Sequence, residues 1–451
     1  MSIEIYPDKQ VIDRELHQRP FFPLSDCENM TMLTLFTPRP TQHNSEKEQG
    51  RLSSLPSGNA EAIAAFCAEN SNVSLAIGAR YFFHDFGTFR LRWQRHTEFE
   101  TLLIIQNNFQ PDLKAPFAAC ALSLCPQDFI NQLTGQLVSR VQLVILPAID
   151  HDQRKKDSGL AIPAGLSLGS LTHSSLADGR GAIWTDFIAH PTADGQSAHR
   201  ILIENKAFRR YESGRIAQRV LEVETYRAMS LMSLSALTAA ERKLELSERV
   251  FAQLSSQFAT IKGYAQEEKL FSDLSNIWLE VSGLLNAQQA RFSASLAYAP
   301  LIEERISHLR EGKVENFQRY SSFLLRRFTP AIQRVRTTVK RIRALETRVA
   351  EASAMIRTRT EFEQEKQSAA LLESSNRIAS QQLHMQSAVE GLSVIAITYY
   401  AISLLKIFLT SLDSLPKAWN NAILIIAIPL FALMIWRGIK GLSAKKTQDK
   451  S

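Results

Sequence analysis

The sequence predicts an α+β N-terminal domain, then a long-helix and coiled-coil region, then a C-terminal two-helix transmembrane hairpin. Three observations carry that prediction. Strand-like runs alternate with polar breaks as far as residue 212. From about Gly214 onward glycine and proline become rare and the apolar residues fall into a helical period. Near the C-terminus two apolar segments contain a single charge, Lys406, between them. With 451 residues the prior is roughly three structural units. A composition of 45% hydrophobic and 22% charged residues excludes wholesale disorder and collagen-like repetition.

Region 1–212 is the α+β domain. Met30–Phe36, Phe89–Arg95, Thr101–Ile105, Val138–Leu146, Ala182–Ile188 and Ile201–Ile203 are rich in β-branched and aromatic residues and read as strands. Asn59–Asn70 and Pro126–Leu133 read as helices, whereas Thr41–Gly58 and His151–Ser175 read as surface loops. In the run from Phe89 to His96, strict alternation puts Phe89, Leu91 and Trp93 on one face and Arg90, Arg92 and His96 on the other. The simplest expectation for the polar face is solvent with cross-strand charge pairs. Anion binding by the arginines, or a metal held with the help of His84 and Asp85, are the alternatives.

Region 213–329 is expected to be antiparallel helices. Ile216, Val220 and Val223 share one face, as do Leu270, Leu274, Ile277, Val281 and Leu284. Thr238 to Glu241 matches a capping box and Thr329-Pro330 matches an N-cap followed by proline at the first helical position. From there a stalk helix over 330–391 is predicted, with Ile332, Val335, Val339, Ile342, Val349 and Ile356 as a coiled-coil seam. Continuous from Pro330 to Leu412, it would be about 120 Å long. The run Arg326–Arg343 has seven cations and no acid, and it reads as a helix surface that pairs with acids elsewhere; nucleic acid is not an expected partner.

The transmembrane hairpin occupies 392–436, with spans at 392–412 and 418–436. Trp419 and Trp436 bracket the second span, where aromatic belts occur. The basic tail 437–451 holds five cations against one acid, so the positive-inside rule puts both termini in the cytoplasm. The N-terminus lacks an apolar signal segment. Four cysteines without C-x-x-C spacing indicate free thiols in a reducing compartment. Within the first span Tyr399, Ser403 and Lys406 form one polar stripe, the candidate functional residues of the membrane part. Gly165 to Gly169 matches G-x-S-x-G around Ser167, but without the strand and helix that a nucleophile elbow requires. No catalytic residue, cofactor or metal ligand is predicted, and the chain is not expected to be an enzyme.

Several segments together resemble a bacterial family of membrane-anchored proteins, domain of unknown function 3422. They are Glu15 to Phe21, Arg92 to Phe99, Ala182 to Phe187, Glu222 to Arg227 and Val389 to Ser393. Gln94 stands where the pattern suggests Glu, and the loop from His151 to Ser175 matches poorly. The resemblance implies an inner-membrane location but no activity. The layout is also similar to CorA-type magnesium channels, without their Gly-Met-Asn; Thr410-Ser411-Leu412-Asp413 stands at that place. The expected function is that of a self-associating scaffold. It would contact the bilayer through two helices, its own copies through the stalk, and an unknown cytoplasmic partner. The alternative is a CorA-like oligomeric ion channel or transporter.

Overall fold

A computed structural model describes residues 9, 21–37, 58–71, 73–76, 78–148, 162–192, 194–258, 260–261, 263–410 and 425–438. The strands are β1 (Glu28–Phe36), β2 (Tyr81–Asp85), β3 (Phe89–Arg95), β4 (Phe99–Gln106), β5 (Gln136–Pro147), β6 (Thr172–Leu176), β7 (Gly181–Pro191), β8 (Ser197–Asn205) and β9 (Gly312–Lys313). They form one sheet in the order β2-β3-β4-β1-β5-β8-β7-β6-β9. Every pairing is antiparallel except that of β5 with β8. The helices are α1 (Gly58–Asn70), α2 (Gln127–Gln132), α3 (Arg210–Leu231), α4 (Ser233–Gln257), α5 (Tyr264–Ser307) and α6 (Tyr320–Thr410), followed by α7 (Ile425–Gly438).

Both faces of the sheet are covered, which explains why β4 reads as an almost continuous apolar run. Phe99, Leu103 and Ile105 join Met30, Met32, Val141, Leu143 and Ile145 in a core with Ile216, Val220 and Val223 of α3, Ile302 and Ile306 of α5, and Leu324 and Phe328 of α6. Leu102 and Ile104 point the other way, with Leu33, Leu91 and Trp93, into a core closed by Ile63 and Phe66 of α1 and Phe129 of α2. The chain divides into two compact units, one of residues 1–259 and 272–350, the other of 260–271 and 351–451. The boundary expected at residue 212 therefore falls inside one unit, because α3 completes the sheet's own core.

The six expected strands all lie within observed ones, and the two expected helices correspond to α1 and α2. Strand β6 lies almost wholly in the stretch read as loop, β2 was not expected, and β9 falls in the region expected to be antiparallel helices. Residues 38–57 and 149–161, which hold nearly all of the first expected loop and the first part of the second, fall outside the described residues.

Two helix starts differ from expectation. Thr238 lies inside α4 and its hydroxyl donates to the Leu234 carbonyl at 3.1 Å, so it caps nothing. Glu241 instead accepts from Arg334 and Thr338. Pro330 likewise lies inside α6, which begins ten residues earlier. There the Tyr320 N–H donates to Ser174 Oγ at 2.9 Å, and Ser174 Oγ donates to Glu311 Oε1 at 2.5 Å. The Ser321 N–H reaches Glu311 Oε2 at 3.2 Å. A strand hydroxyl and a loop carboxylate thus satisfy the first two orphan donors of the helix. The side chain of Tyr320 is wholly buried, and burial pushes its pKa well above the ordinary value.

The stalk seam is filled by the chain itself. Val335 packs with Leu237 and Ala240 of α4 and Phe292 of α5, Ile332 joins the main core, and Ile342 and Val349 are buried. At the C-terminal end α6 is one 91-residue helix with an apolar window, while α7 is short. The expected connector 413–417 and most of the tail lie outside the described residues, as do the first residues of the second span.

Candidate functional site

The polar face of β3 is the floor of a cavity. In the sheet register Arg92 stands beside Leu103, which stands beside Met32, and Gln94 stands beside Thr101. Helix α3 lies over this row and presents Gln218, Leu221, Glu222 and Thr225, spaced three and four residues apart on one helical face. Arg305 and His308 from the end of α5 complete the enclosure, with the exposed Phe21 from the N-terminal segment. The enclosed volume is about 320 Å³.

Close approach of the N-terminal segment to α3 depends on Gly214. A Cβ there would stand 1.9 Å from the Phe22 carbonyl oxygen, so no side chain is tolerated without moving backbone. The adjacent Phe22 ring lies under the Arg92 guanidinium, 5.4 Å from centroid to Cζ, and the Tyr81 ring lies 5.5 Å from it. These are cation–π distances.

Arg92 is only 6% exposed. Its Nη1 donates to Gln218 Oε1 at 3.1 Å and its Nη2 to Gln94 Oε1 at 3.3 Å. Gln218 Nε2 donates in turn to Glu222 Oε1 at 2.7 Å, and Arg305 Nε donates to Glu222 Oε2. A chain therefore runs guanidinium, amide, carboxylate, guanidinium. Arg219 Nη1 donates to the His308 carbonyl at 2.9 Å. Burial and the guanidiniums of Arg215, Arg305 and Arg310 push the Arg219 pKa below its ordinary value, against the pull of Glu222. Around the cavity Arg92, Arg219 and Arg305 stand against Glu222 as the one carboxylate among the described lining side chains. Guanidinium and amide donors thus reach the cavity from β3, α3 and α5, and Phe21, Met32, Leu103, Leu221 and Tyr226 supply apolar contact.

This corrects the expectation of a solvent-facing strand surface. Alternation reports that the two faces of β3 differ, and here the polar face is covered by a helix. Of the histidines in reach of the metal alternative, His84 meets the Phe86 ring at 4.8 Å and His96 stacks on Phe99 at 4.1 Å. Among the described residues no group of three or more His, Cys, Asp or Glu side chains is placed to hold a metal ion. Sequence reasoning missed Gln218, Arg219, Glu222 and Arg305. The available signal was that Gln218, Glu222 and Thr225 keep the same three-four spacing as their apolar neighbours.

The predicted stripe of Tyr399, Ser403 and Lys406 lies on α6, with Tyr399 and Lys406 exposed. Ser403 Oγ donates to the Tyr399 carbonyl at 2.8 Å, so the hydroxyl is turned to its own helix. Ser167 precedes a three-residue 3-10 turn instead of a helix, and its N–H donates to the buried Asp186 carboxylate at 2.7 Å. Asp186 also holds His190 Nε2 at 2.6 Å. In the basic run, Arg334 pairs with Glu241 at 2.7 Å and Arg341 with Glu248 at 2.6 Å.

A nine-stranded mixed sheet with a polar cavity under α3, followed by long helices of which α6 carries an exposed apolar window, defines the class: an α+β protein with a helical C-terminal part. The chain belongs to the family described as Protein of unknown function (DUF3422), which matches residues 4–445. No curated protein and no solved structure matches it. The similarity to CorA-type channels consequently has no support.

Proposed function

We propose that this is a membrane-anchored protein whose α+β domain lies in the cytoplasm and binds a partner there. One observation carries the reading: α6 contains an 18-residue window of mean hydropathy 1.7, of which only 6% is buried within the protein. Leu392, Ile395, Tyr399, Tyr400, Leu404, Ile407 and Phe408 are all exposed. Apolar surface of that extent is unfavourable in water at about 25 cal/mol per Å², and a hydrocarbon layer removes the penalty.

A second crossing, giving the hairpin, draws support from the apolar α7 and from the charge-free sequence leading to it from Ala418. The five cations after Trp436 support cytoplasmic termini. For self-association the seam before Val349 is already filled. Leu371, Ile378, Met385 and Leu392 remain, exposed and seven residues apart, which is the spacing of a coiled-coil contact between copies.

Alkaline carbonate extraction of expressing cells tests the anchor. The full chain is expected in the membrane pellet, and a chain ending at Ala388 in the supernatant. Release of the full chain by carbonate would contradict the reading.

A further inference from the structure

We propose that the cavity between β3, β4 and α3 is a binding site for an organic anion with one carboxylate or phosphate on a compact apolar body. Its volume of about 320 Å³ lies at the small end of the roughly 300–1,000 Å³ span of ligand pockets. The lining divides into two parts that match the two parts of such a molecule. Met32, Leu103 and Leu221 make an apolar floor and wall, and Arg92, Arg219 and Arg305 supply the cations.

The charge pattern is what selects an anion. Glu222, the only carboxylate among the described lining residues, already accepts from Gln218 and from Arg305. Arg305 also donates to Glu304 at 2.9 Å, outside the cavity lining. Arg92 lies at the floor and donates to the side-chain carbonyls of Gln218 and Gln94. Arg219 is half-buried, and burial first, then the guanidiniums of Arg215, Arg305 and Arg310, shift its pKa downward against the pull of Glu222. Like charges gathered at a partly dry site are unfavourable in themselves, and an anion relieves the repulsion while accepting charge-assisted hydrogen bonds. A neutral ligand would gain neither. An inorganic anion would leave the apolar wall unfilled.

The site also has a graded opening. Arg92 is buried, Arg219 and Arg305 are half-buried, and His308 is exposed. An anion entering past His308 meets the guanidiniums of Arg219 and Arg305 before that of Arg92, an arrangement that steers charged ligands into clefts. The inference stands apart from the membrane reading: a chain released by carbonate would still hold this cavity.

Isothermal titration calorimetry of the full chain is the test, with benzoate and phenyl phosphate as probes. Benzyl alcohol is the neutral control and inorganic phosphate the control without a body. Both organic anions are expected to saturate a single site. Each control is expected to bind at least about ten-fold more weakly, equivalent to about 1.4 kcal/mol. Arg92→Gln and Arg219→Gln are each expected to weaken benzoate about ten-fold or more. Arg219→Gln is the safer variant, because it gives up a bond to the backbone carbonyl of the exposed His308 and leaves the buried chain intact. Dihexanoyl phosphatidic acid separates the sources of the anion: displacement of benzoate more effective than by phenyl phosphate assigns a lipid, and less effective displacement assigns a soluble metabolite. Equal binding of benzoate and benzyl alcohol, no saturable heat with either anion, or unchanged benzoate affinity in a folded Arg219→Gln chain would overturn the proposal.

Discussion

The two ends of α6 have similar apolar content and opposite fates. From Phe323 to Val349 the apolar residues recur at three-four spacing and are buried: Phe328, Ile332, Val335, Ile342 and Leu345 all lie within this protein's own cores or helix contacts. From Phe362 to Phe408 most of the large apolar residues are exposed, among them Leu371, Ile378, Met385, Leu392 and Ile395. Periodicity marks a helix face that needs covering, and it does not say what covers it. In the first part the cover is the sheet core with α3 and α5 around Phe328 and Ile332, and α4 with α5 around Val335. In the second part, on the reading proposed above, it is lipid and a second copy.

The sharpest way to break this comparison is to truncate one apolar side chain that covers the start of α6 and one that is exposed further along it. Phe292→Ala removes a ring that is 1% exposed and packs on Val335, and the expected loss is about 3–5 kcal/mol. Leu372→Ala, at an exposed position, is expected to change stability by no more than about 0.5 kcal/mol. Urea unfolding followed by the emission of the buried Trp93 and Trp184 reads both. Similar losses would erase the distinction between the two ends.

A smaller effect sharpens the comparison at the start of the helix. Ser174→Ala removes both the acceptor of the Tyr320 N–H and the donor to Glu311. With a buried backbone donor left unmet, about 1–2 kcal/mol is expected to be lost in the same unfolding measurement. Amide hydrogen exchange should rise first at Tyr320 and Ser321. The smallest effect belongs to the exposed pairs. A double-mutant cycle on Arg341 and Glu248, 2.6 Å apart at the surface, is expected to give a coupling of about 0.5 kcal/mol that fades in salt.

The sequence was most legible where one physical signal dominated. Strands β1, β3, β4, β5, β7 and β8 announce themselves by β-branched and aromatic residues, and α1 by its alanine-rich run. Strand β6, Thr-His-Ser-Ser-Leu, carries almost none of that signal. Its residues are buried for other reasons: His173 stacks on Trp184 at 3.5 Å, and Ser174 caps α6. Capping motifs misled at Thr238 and Pro330, because both helices had already begun and tertiary packing outweighed a local cap worth about 1 kcal/mol.

The cavity was half visible. Arg92 and His96 stood out by alternation on a strand, but an arginine on a strand is ordinarily wet. Its burial depends on Gln218 and Glu222, more than 120 residues further along the chain, and no local pattern links those positions. The seam of the stalk shows the reverse error. Its spacing was visible, but Val335 packs on α4 and α5 and Ile332 packs in the sheet core of the same chain.

The central claim is that one helix is covered by protein at its start and by lipid at its end. Photolabelling the full chain in membranes with a carbene reagent dissolved in the bilayer, then mapping the adducts by mass spectrometry, tests it directly. Labels are expected between Leu392 and Phe408 and absent around Val335 and Ile342. Equal labelling of both stretches, or no labelling of the C-terminal one, would contradict the account.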